Sequence, residues 1–440
     1  MRDVIVVGAG ASGLMAAVMA ARGGAKVRIL ESMKKPGRKL LITGNGRCNL
    51  TNTDPDLAGA YYSESKEEAD RFAESVLKTF GREDTLAFFA QIGLFAARRG
   101  PYVYPRSGQA VTVLNMLLEE LARLHVQLKQ DTRVQKIYRD PAKKKWLAAV
   151  EGWTYEADAV IVCAGSRAAP VTGSDGSGYA LARSLGHKVR RAMPALTALT
   201  CPDPDLKLCA GARTRAAVTL LKAYGGTTGI LPDLKETERS GGCRILAQEE
   251  GELQWNASEI SGIPVFQLSR FVHGLQGTAL LSIDFLPEYE ETQVRRILTD
   301  QLLRAGSGAS LTLVLNGFVQ EKIAAFLVRK SGWPERLRDR ADCGAAAGDL
   351  AALLKRLILP VDGTRGFDQA QVCAGGVCLD QIDPRTLESK LHRGLFFAGE
   401  VLDIDGPCGG YNLQWAWSSG AAAGMAAARA VSEDRSARYS

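Results

Sequence analysis

At 440 residues the chain is long enough for two or three domains, and 46% hydrophobic against 23% charged residues excludes a disordered chain. The net charge of +7 is spread along the sequence, which argues against a concentrated nucleic-acid face, and no apolar run is long enough to span a membrane. Nine cysteines, an odd number without a CxxC pair, fit reduced thiols better than a disulfide framework or an iron–sulfur cluster, so a cytoplasmic protein without a metal site is expected.

The run DVIVVGAGASGLMAAVMAARGGAKVRILES reads as strand, glycine turn, helix from Ser12 to about Arg22, and a second strand, Val27–Leu30, ending at Glu31. Residues 33–53 read as loop. Helical periodicity follows at Glu67–Leu77, Glu83–Ile92 and Val111–Leu124, then short strands at Val126–Leu128, Val134–Tyr138, Trp146–Val150, Trp153–Glu156 and Ala159–Val162. From Pro194 the texture changes to short strands at Leu196–Cys201, Ala216–Ala223 and Arg244–Leu246, followed by helical stretches at Pro264–Val272, Tyr289–Ala305, Gln320–Lys330 and Leu350–Leu357. Nucleotide-binding texture returns near Phe367. The expected fold is α/β: a Rossmann-type FAD-binding domain with an inserted β-rich domain and a helical domain. The FAD domain is discontinuous over 1–190 and 365–440, the β-rich part covers 191–262 and about 340–364, and the helical part covers 263–339.

Gly8-Ala9-Gly10-Ala11-Ser12-Gly13 is a G-x-G-x-x-G turn directly after a strand and opening a helix. Gly8 permits the tight turn, Gly10 lets the backbone approach a pyrophosphate, Gly13 lets helix pack on strand, and the helix start offers unpaired N–H groups. Glu31, followed by Ser32, stands where a carboxylate accepts ribose hydroxyls. This fingerprint alone fits NAD or FAD. FAD is favoured because two later strands also end in close-approach turns, at Cys163-Ala164-Gly165 and at Ala398-Gly399-Glu400. The glycine-rich GPCGGYNLQ, with Gly410 before a helix starting near Asn412, then offers N–H groups to a reduced flavin ring. In GRKLLITGNGRCNLTN, Arg38 and Lys39 can meet phosphate, Gly44-Asn45-Gly46 must turn tightly, and Arg47, Cys48, Asn49 and Thr51 crowd polar groups against the ring. No histidine lies in a glycine-rich segment. Tyr102, Tyr104 and Tyr411 are the candidate proton donors, and Cys48 is a candidate reactive thiol.

Four segments carry a resemblance to a known family: VIVVGAGASGLMAA, KLLITGNGRCNLTN, GPYVYPRSGQA and ESKLHRGLFFAGEVLDIDGPCGGYNLQWAWSSG. The chain resembles the BaiN-like (YhiN-like) NAD(P)/FAD-dependent oxidoreductases, a branch of the glutathione-reductase-type flavoproteins, nearly end to end. The resemblance implies flavin contacts at Gly8–Gly13, Glu31, Lys39, Gly46–Asn49, Val134, Gly165, Glu400 and Asn412, Leu413 and Gln414. It also implies an inserted β-barrel-like domain and a helical domain. Two positions depart from the family, Cys408 in the loop over the flavin and Cys373 before Gly375-Gly376. The expectation for cofactor is non-covalent FAD, with NAD(P)H as electron donor. The activity implied is reduction of an activated carbon–carbon double bond in a small hydrophobic enone, such as a 3-oxo steroid or bile-acid intermediate. Two alternatives stand beside it: an amine or aminoketone oxidase using oxygen, and a non-catalytic or RNA-associated FAD protein.

Overall fold

The structure is a computed structural model that describes residues 3–224, 238–239, 242–275 and 277–439. It divides into two units, 1–194 with 370–440, and 195–369.

The first unit is built on a five-stranded parallel sheet in the order Leu395–Phe397, Ala159–Val162, Asp3–Val7, Lys26–Leu30, Gln127–Lys129. Residues 4–7 and Ala159–Val162 are continuous apolar runs because both faces of the sheet are covered. The helix Ala11–Arg22 crosses between the first two strands and stops at Gly23, whose N–H donates to the Met19 carbonyl at 3.0 Å. The last helix, Tyr411–Tyr439, packs on Ala11–Arg22 through glycines one turn apart. A Cβ added at Gly420 would lie 2.4 Å from the Ser12 carbonyl oxygen, and one at Gly424 would lie 2.3 Å from that of Ala16. Both ends of the chain are therefore needed for one core.

Two small antiparallel sheets complete this unit. One holds Thr51–Asn52, Tyr102–Pro105 and Ala96–Arg99; the other holds Lys136–Arg139, Trp146–Val150 and Trp153–Ala157. Within the stretch read as loop, Arg38–Ile42 is a short helix. The chain leaves the unit on Met193–Ala195 and returns on Val372–Ala374, which pair with each other.

The second unit is a seven-stranded antiparallel sheet with helices on it. The strand order is Leu357–Val361, Thr278–Asp284, Arg213–Ala223, Cys243–Trp255, Glu259–Ser261, Leu199–Thr200, Gly363–Thr364. Leu281 and Ile283 of the sheet share one core with Leu298, Phe326 and Leu350 of the helices. Three strands differ from the sequence reading. Thr278–Asp284 falls inside the stretch expected to be helical, and Leu357–Val361 begins where a helix was expected to end. Short continuous apolar runs of this kind have no period that tells strand from helix. Cys243–Trp255 is far longer than Arg244–Leu246, because its polar half carries Gln248, Glu249, Glu250 and Glu252. Two of those acids have partners across the ladder: Arg215 meets Glu250 at 2.8 Å and Arg213 meets Glu252 at 3.1 Å.

Candidate functional site

The turn after the first strand is shaped by contacts that only glycine allows. Gly8 has φ +100°, and a Cβ there would lie 2.6 Å from the Cys163 carbonyl oxygen. At Gly13 it would lie 2.0 Å from the Gly8 carbonyl oxygen, so the helix sits directly on the turn. At Gly10 it would meet nothing within 4 Å. That open space lies at the start of a twelve-residue helix with no side-chain cap, where free N–H groups face outward, and it fits a pyrophosphate. Ala11 and Ser12 form the first turn.

Glu31 is buried and already oriented. Its carboxylate accepts the Ala9 N–H at 2.6 Å and the Met33 N–H at 2.8 Å, with the Ser32 hydroxyl at 3.3 Å. A carboxylate has more acceptor positions than these donors fill, so it retains capacity for ribose hydroxyls. The Thr132 N–H donates to the Glu31 carbonyl at 2.7 Å, which brings the buried Val134 alongside the same strand end.

The other strand ends gather at this turn. Ala164 and Gly165 follow Ala159–Val162, and Gly165, at φ +72°, takes the left-handed conformation. Gly399 donates its N–H to the Ser419 hydroxyl at 2.9 Å, and a Cβ on it would lie 2.3 Å from the Ser12 hydroxyl oxygen. Lys39 and Glu400 form an ion pair of 2.6 Å, and the Ser166 hydroxyl donates to the same Glu400 oxygen at 3.2 Å. Sequence reading proposed Lys39 and Glu400 separately and did not connect them, since 361 residues lie between them. Arg38, one residue before, is partly exposed.

A third group of residues joins the segment after Ile42 to the last glycine loop. Gly44, Asn45, Gly46 and Cys48 all have positive φ, and the Gly46 carbonyl accepts the Ala110 N–H at 2.8 Å. Cys48 is fully buried and burial pushes its thiol up to about 12, so it is a packing group and no thiolate nucleophile at neutral pH. Asn49 accepts the Val103 N–H at 3.2 Å, and Asn52 donates to the Gly409 carbonyl at 2.8 Å. A Cβ on Gly409 would lie 2.9 Å from the Tyr102 ring, and one on Gly410 would lie 2.6 Å from the Thr51 carbonyl. The loop before the last helix is thus pressed onto Thr51–Asn52 and Tyr102. The Thr51 hydroxyl is buried there without a hydrogen-bond partner.

The side chains at the start of the last helix divide in role. Asn412 accepts the Gly406 N–H at 2.9 Å and donates to the Gly406 carbonyl at 2.7 Å, which holds the loop in shape. Leu413 is partly buried. Gln414 turns inward, donating to Thr85 at 2.9 Å and Ser418 at 2.8 Å, so its side chain serves the helix packing. Tyr411 donates to Asp54 at 2.7 Å, and burial raises the phenol above its ordinary range. Tyr102 and Tyr104 are half-buried, and their hydroxyls make no protein hydrogen bond among the described residues. Arg47 is exposed.

The residues present fit FAD. The helix start with open space at Gly10 would suit the pyrophosphate, the oriented Glu31 carboxylate would suit the ribose, and the glycine loop beside the unpartnered Thr51 hydroxyl would suit the ring end. Sequence reasoning missed Ser166, Asp54 and the approach of Gly410 to Thr51. Only the glycine pair in GPCGG hinted at the last.

A family described as HI0933-like protein Rossmann domain matches residues 2–426. A 3-dehydro-bile acid delta(4,6)-reductase from Clostridium scindens is 42% identical over 433 residues, covering 97% of this chain and 99% of the relative. A ribosomal RNA dihydrouridine synthase from Escherichia coli is 27% identical over 420 residues, covering 95% of this chain and 96% of the relative. One of the same description from Haemophilus influenzae is also 27% identical, over 97% of this chain and 98% of the relative.

Proposed function

The chain belongs to the HI0933-like family of Rossmann-domain proteins and is a flavin-dependent oxidoreductase; from that premise we propose that it reduces a conjugated carbon–carbon double bond in a hydrophobic enone such as a 3-oxo steroid or bile-acid intermediate. The observation that carries this reading is 42% identity over nearly the whole chain to a reductase named for a dehydro-bile acid. When bound, FAD would supply the hydride for the electron-poor carbon. NAD(P)H is the proposed source of the electrons.

The chain's own residues do the rest. Glu31 and the helix start hold the adenosine and pyrophosphate ends. Glu400, fixed by Lys39 and Ser166, would contact the cofactor between its two ends. The loop at Gly409-Gly410 excludes side chains, so that backbone N–H groups of the helix Tyr411–Tyr439 meet developing negative charge. Tyr102 is the proposed proton donor to the adjacent carbon, because its ring lies against Gly409 and its hydroxyl has no competing protein partner. Tyr411 is less suited, since its proton is already directed to Asp54.

The test is anaerobic reduction of the FAD-loaded protein with NADH or NADPH, followed by mixing with a 3-oxo-4-ene steroid. Flavin reoxidation by the steroid, with a saturated product, is expected. Reduction of the flavin by amines with reoxidation only by oxygen would replace this reading with the oxidase. A second reading has its own support in the two relatives named for dihydrouridine synthesis. A dihydrouridine is a uridine whose ring double bond has been reduced, so the same hydride delivery serves either substrate.

A further inference from the structure

The hairpin that carries Tyr102 also carries a concentration of positive charge. In Ala96–Arg99 and Tyr102–Pro105, Arg99 pairs with Tyr102 and Ala97 with Tyr104, so Arg99, Tyr102 and Tyr104 project from one face of the small sheet. Asn52 is opposite Tyr102 and lies on that face too. The Arg99 guanidinium stands 5.7 Å from the centroid of the Tyr104 ring. Arg47 approaches the same phenol from the turn that follows Gly44, whose own added Cβ would touch the Tyr104 ring at 3.7 Å. The two guanidinium charges oppose the rise that burial imposes on the Tyr104 phenol. Arg47 and Arg99, and their neighbours Arg98 and Arg106, are exposed, and none forms an ion pair among the described residues.

Several arginines elsewhere in this unit answer a carboxylate. Arg22 and Arg123 meet Glu120, Arg133 meets Asp175, and Arg190 meets Glu64 and Asp403. Around Tyr104 that answer is missing, and like charges are held beside one another. Such an arrangement is relieved when an anion arrives. Arginine's planar fork suits a carboxylate, with two parallel hydrogen bonds to its two oxygens. The neighbouring tyrosine rings offer the apolar surface that a hydrophobic body carrying that carboxylate needs.

We propose that Arg47 and Arg99 recognise an anionic group of the substrate, a carboxylate remote from the double bond being reduced, and thereby select acidic over neutral enones. This rests on the reading of the site as an ene-reductase centre. It adds which substrates the centre prefers and which residues impose the preference.

Binding to the oxidised, FAD-loaded protein tests this without turnover. A 3-oxo-4-ene steroid with a side-chain carboxylic acid and its methyl ester are titrated separately, following the flavin spectrum. A charge-assisted pair contributes about 1.5–3 kcal/mol, so the acid is expected to bind roughly ten- to a hundredfold more tightly than the ester. In Arg99→Gln the acid-to-ester ratio should fall toward one while bound FAD per chain stays constant, and in Arg47→Gln/Arg99→Gln, loaded to the same FAD content, it should fall further. Arg47→Lys and Arg99→Lys should recover part of the ratio, since charge remains but the fork is lost. Equal affinity of the unaltered protein for acid and ester would overturn the arginine assignment and leave the ene-reductase reading standing. Failure of both compounds to bind would instead sink the steroid reading, and this assignment with it. Loss of FAD from the variants would assign the arginines to the cofactor. Tight, salt-dependent binding of a single-stranded RNA oligonucleotide that disappears in the double variant, with no acid preference, would assign them to a polynucleotide.

Discussion

Glu31 illustrates why a residue read from spacing still needs its surroundings. Its carboxylate is expected to hold ribose, yet it also satisfies the Ala9 and Met33 N–H groups. Glu31→Ala should therefore weaken FAD by on the order of ten- to a hundredfold, corresponding to about 1.5–3 kcal/mol, and lower the melting temperature of the apoprotein as well. Flavin titration and thermal melting of the FAD-free protein separate the two effects. An unchanged apoprotein with weakened FAD would show that water replaces the carboxylate at those donors. Tyr102→Phe should leave FAD content intact and slow flavin reoxidation by an enone roughly a hundredfold or more, in the range of general-acid contributions. Rapid mixing measures it, and an unchanged rate would move the proton donor to Tyr104.

His187 gives a pH dependence. It is nearly inaccessible, lies 4.8 Å from the Phe397 ring centroid, and shares a 2.9 Å hydrogen bond with the Ser389 hydroxyl. Burial, with the nearby His392, holds its imidazole down to about 4, against about 6.5 in an unfolded chain. The folded state keeps this histidine neutral while the unfolded state takes up a proton. Its stabilising contribution is complete above pH 6.5 and is lost as the pH falls from 6.5 to 4, by up to about 3 kcal/mol. Melting temperatures across that range should fall, and less steeply in His187→Asn.

At the scale of elements, the crossing of Ala11–Arg22 with Tyr411–Tyr439 depends on absent side chains. Gly424→Ala places a methyl group 2.3 Å from a backbone carbonyl and should destabilise the protein by about 1–3 kcal/mol, read in a denaturant melt. The sequence made the glycine turn, the helix after it and the two flanking strands legible, because each is signalled by neighbours in the chain. The fit of Gly410 over Thr51 and the Lys39–Glu400 pair were not, because their partners are more than 350 residues away. Cys48 shows a different limit: its neighbours in sequence made it a candidate reactive thiol, and the fold buries it completely, which raises the thiol out of reach of ionisation. The strand Cys243–Trp255 escaped because its cross-strand ion pairs replace the apolar alternation that ordinarily marks a strand.

For the whole molecule, the paired strands Met193–Ala195 and Val372–Ala374 bring the exit and return of the chain side by side. Further bonds continue the pairing, from the Cys378 N–H to the Lys188 carbonyl at 3.0 Å and from the Arg190 N–H to the Gly376 carbonyl at 2.8 Å. Replacing 195–369 by a short flexible linker should give a folded protein that keeps one releasable FAD per chain. Acid release with chromatography counts the flavin. Loss of FAD from a soluble, folded deletion would make 195–369 part of the cofactor site.

The parallel sheet also sets a schedule for biosynthesis. Ala159–Val162 has Leu395–Phe397 as its outer neighbour, and the first helix is covered by the last. A ribosome adding about 5–20 residues per second leaves that strand edge without its partner for roughly ten to fifty seconds. An unpaired apolar strand over such an interval invites pairing with other nascent chains. Expression yield should therefore depend on chaperones that hold the amino-terminal half, and any truncation before Leu395 should accumulate as aggregate even though the whole glycine-rich turn is present.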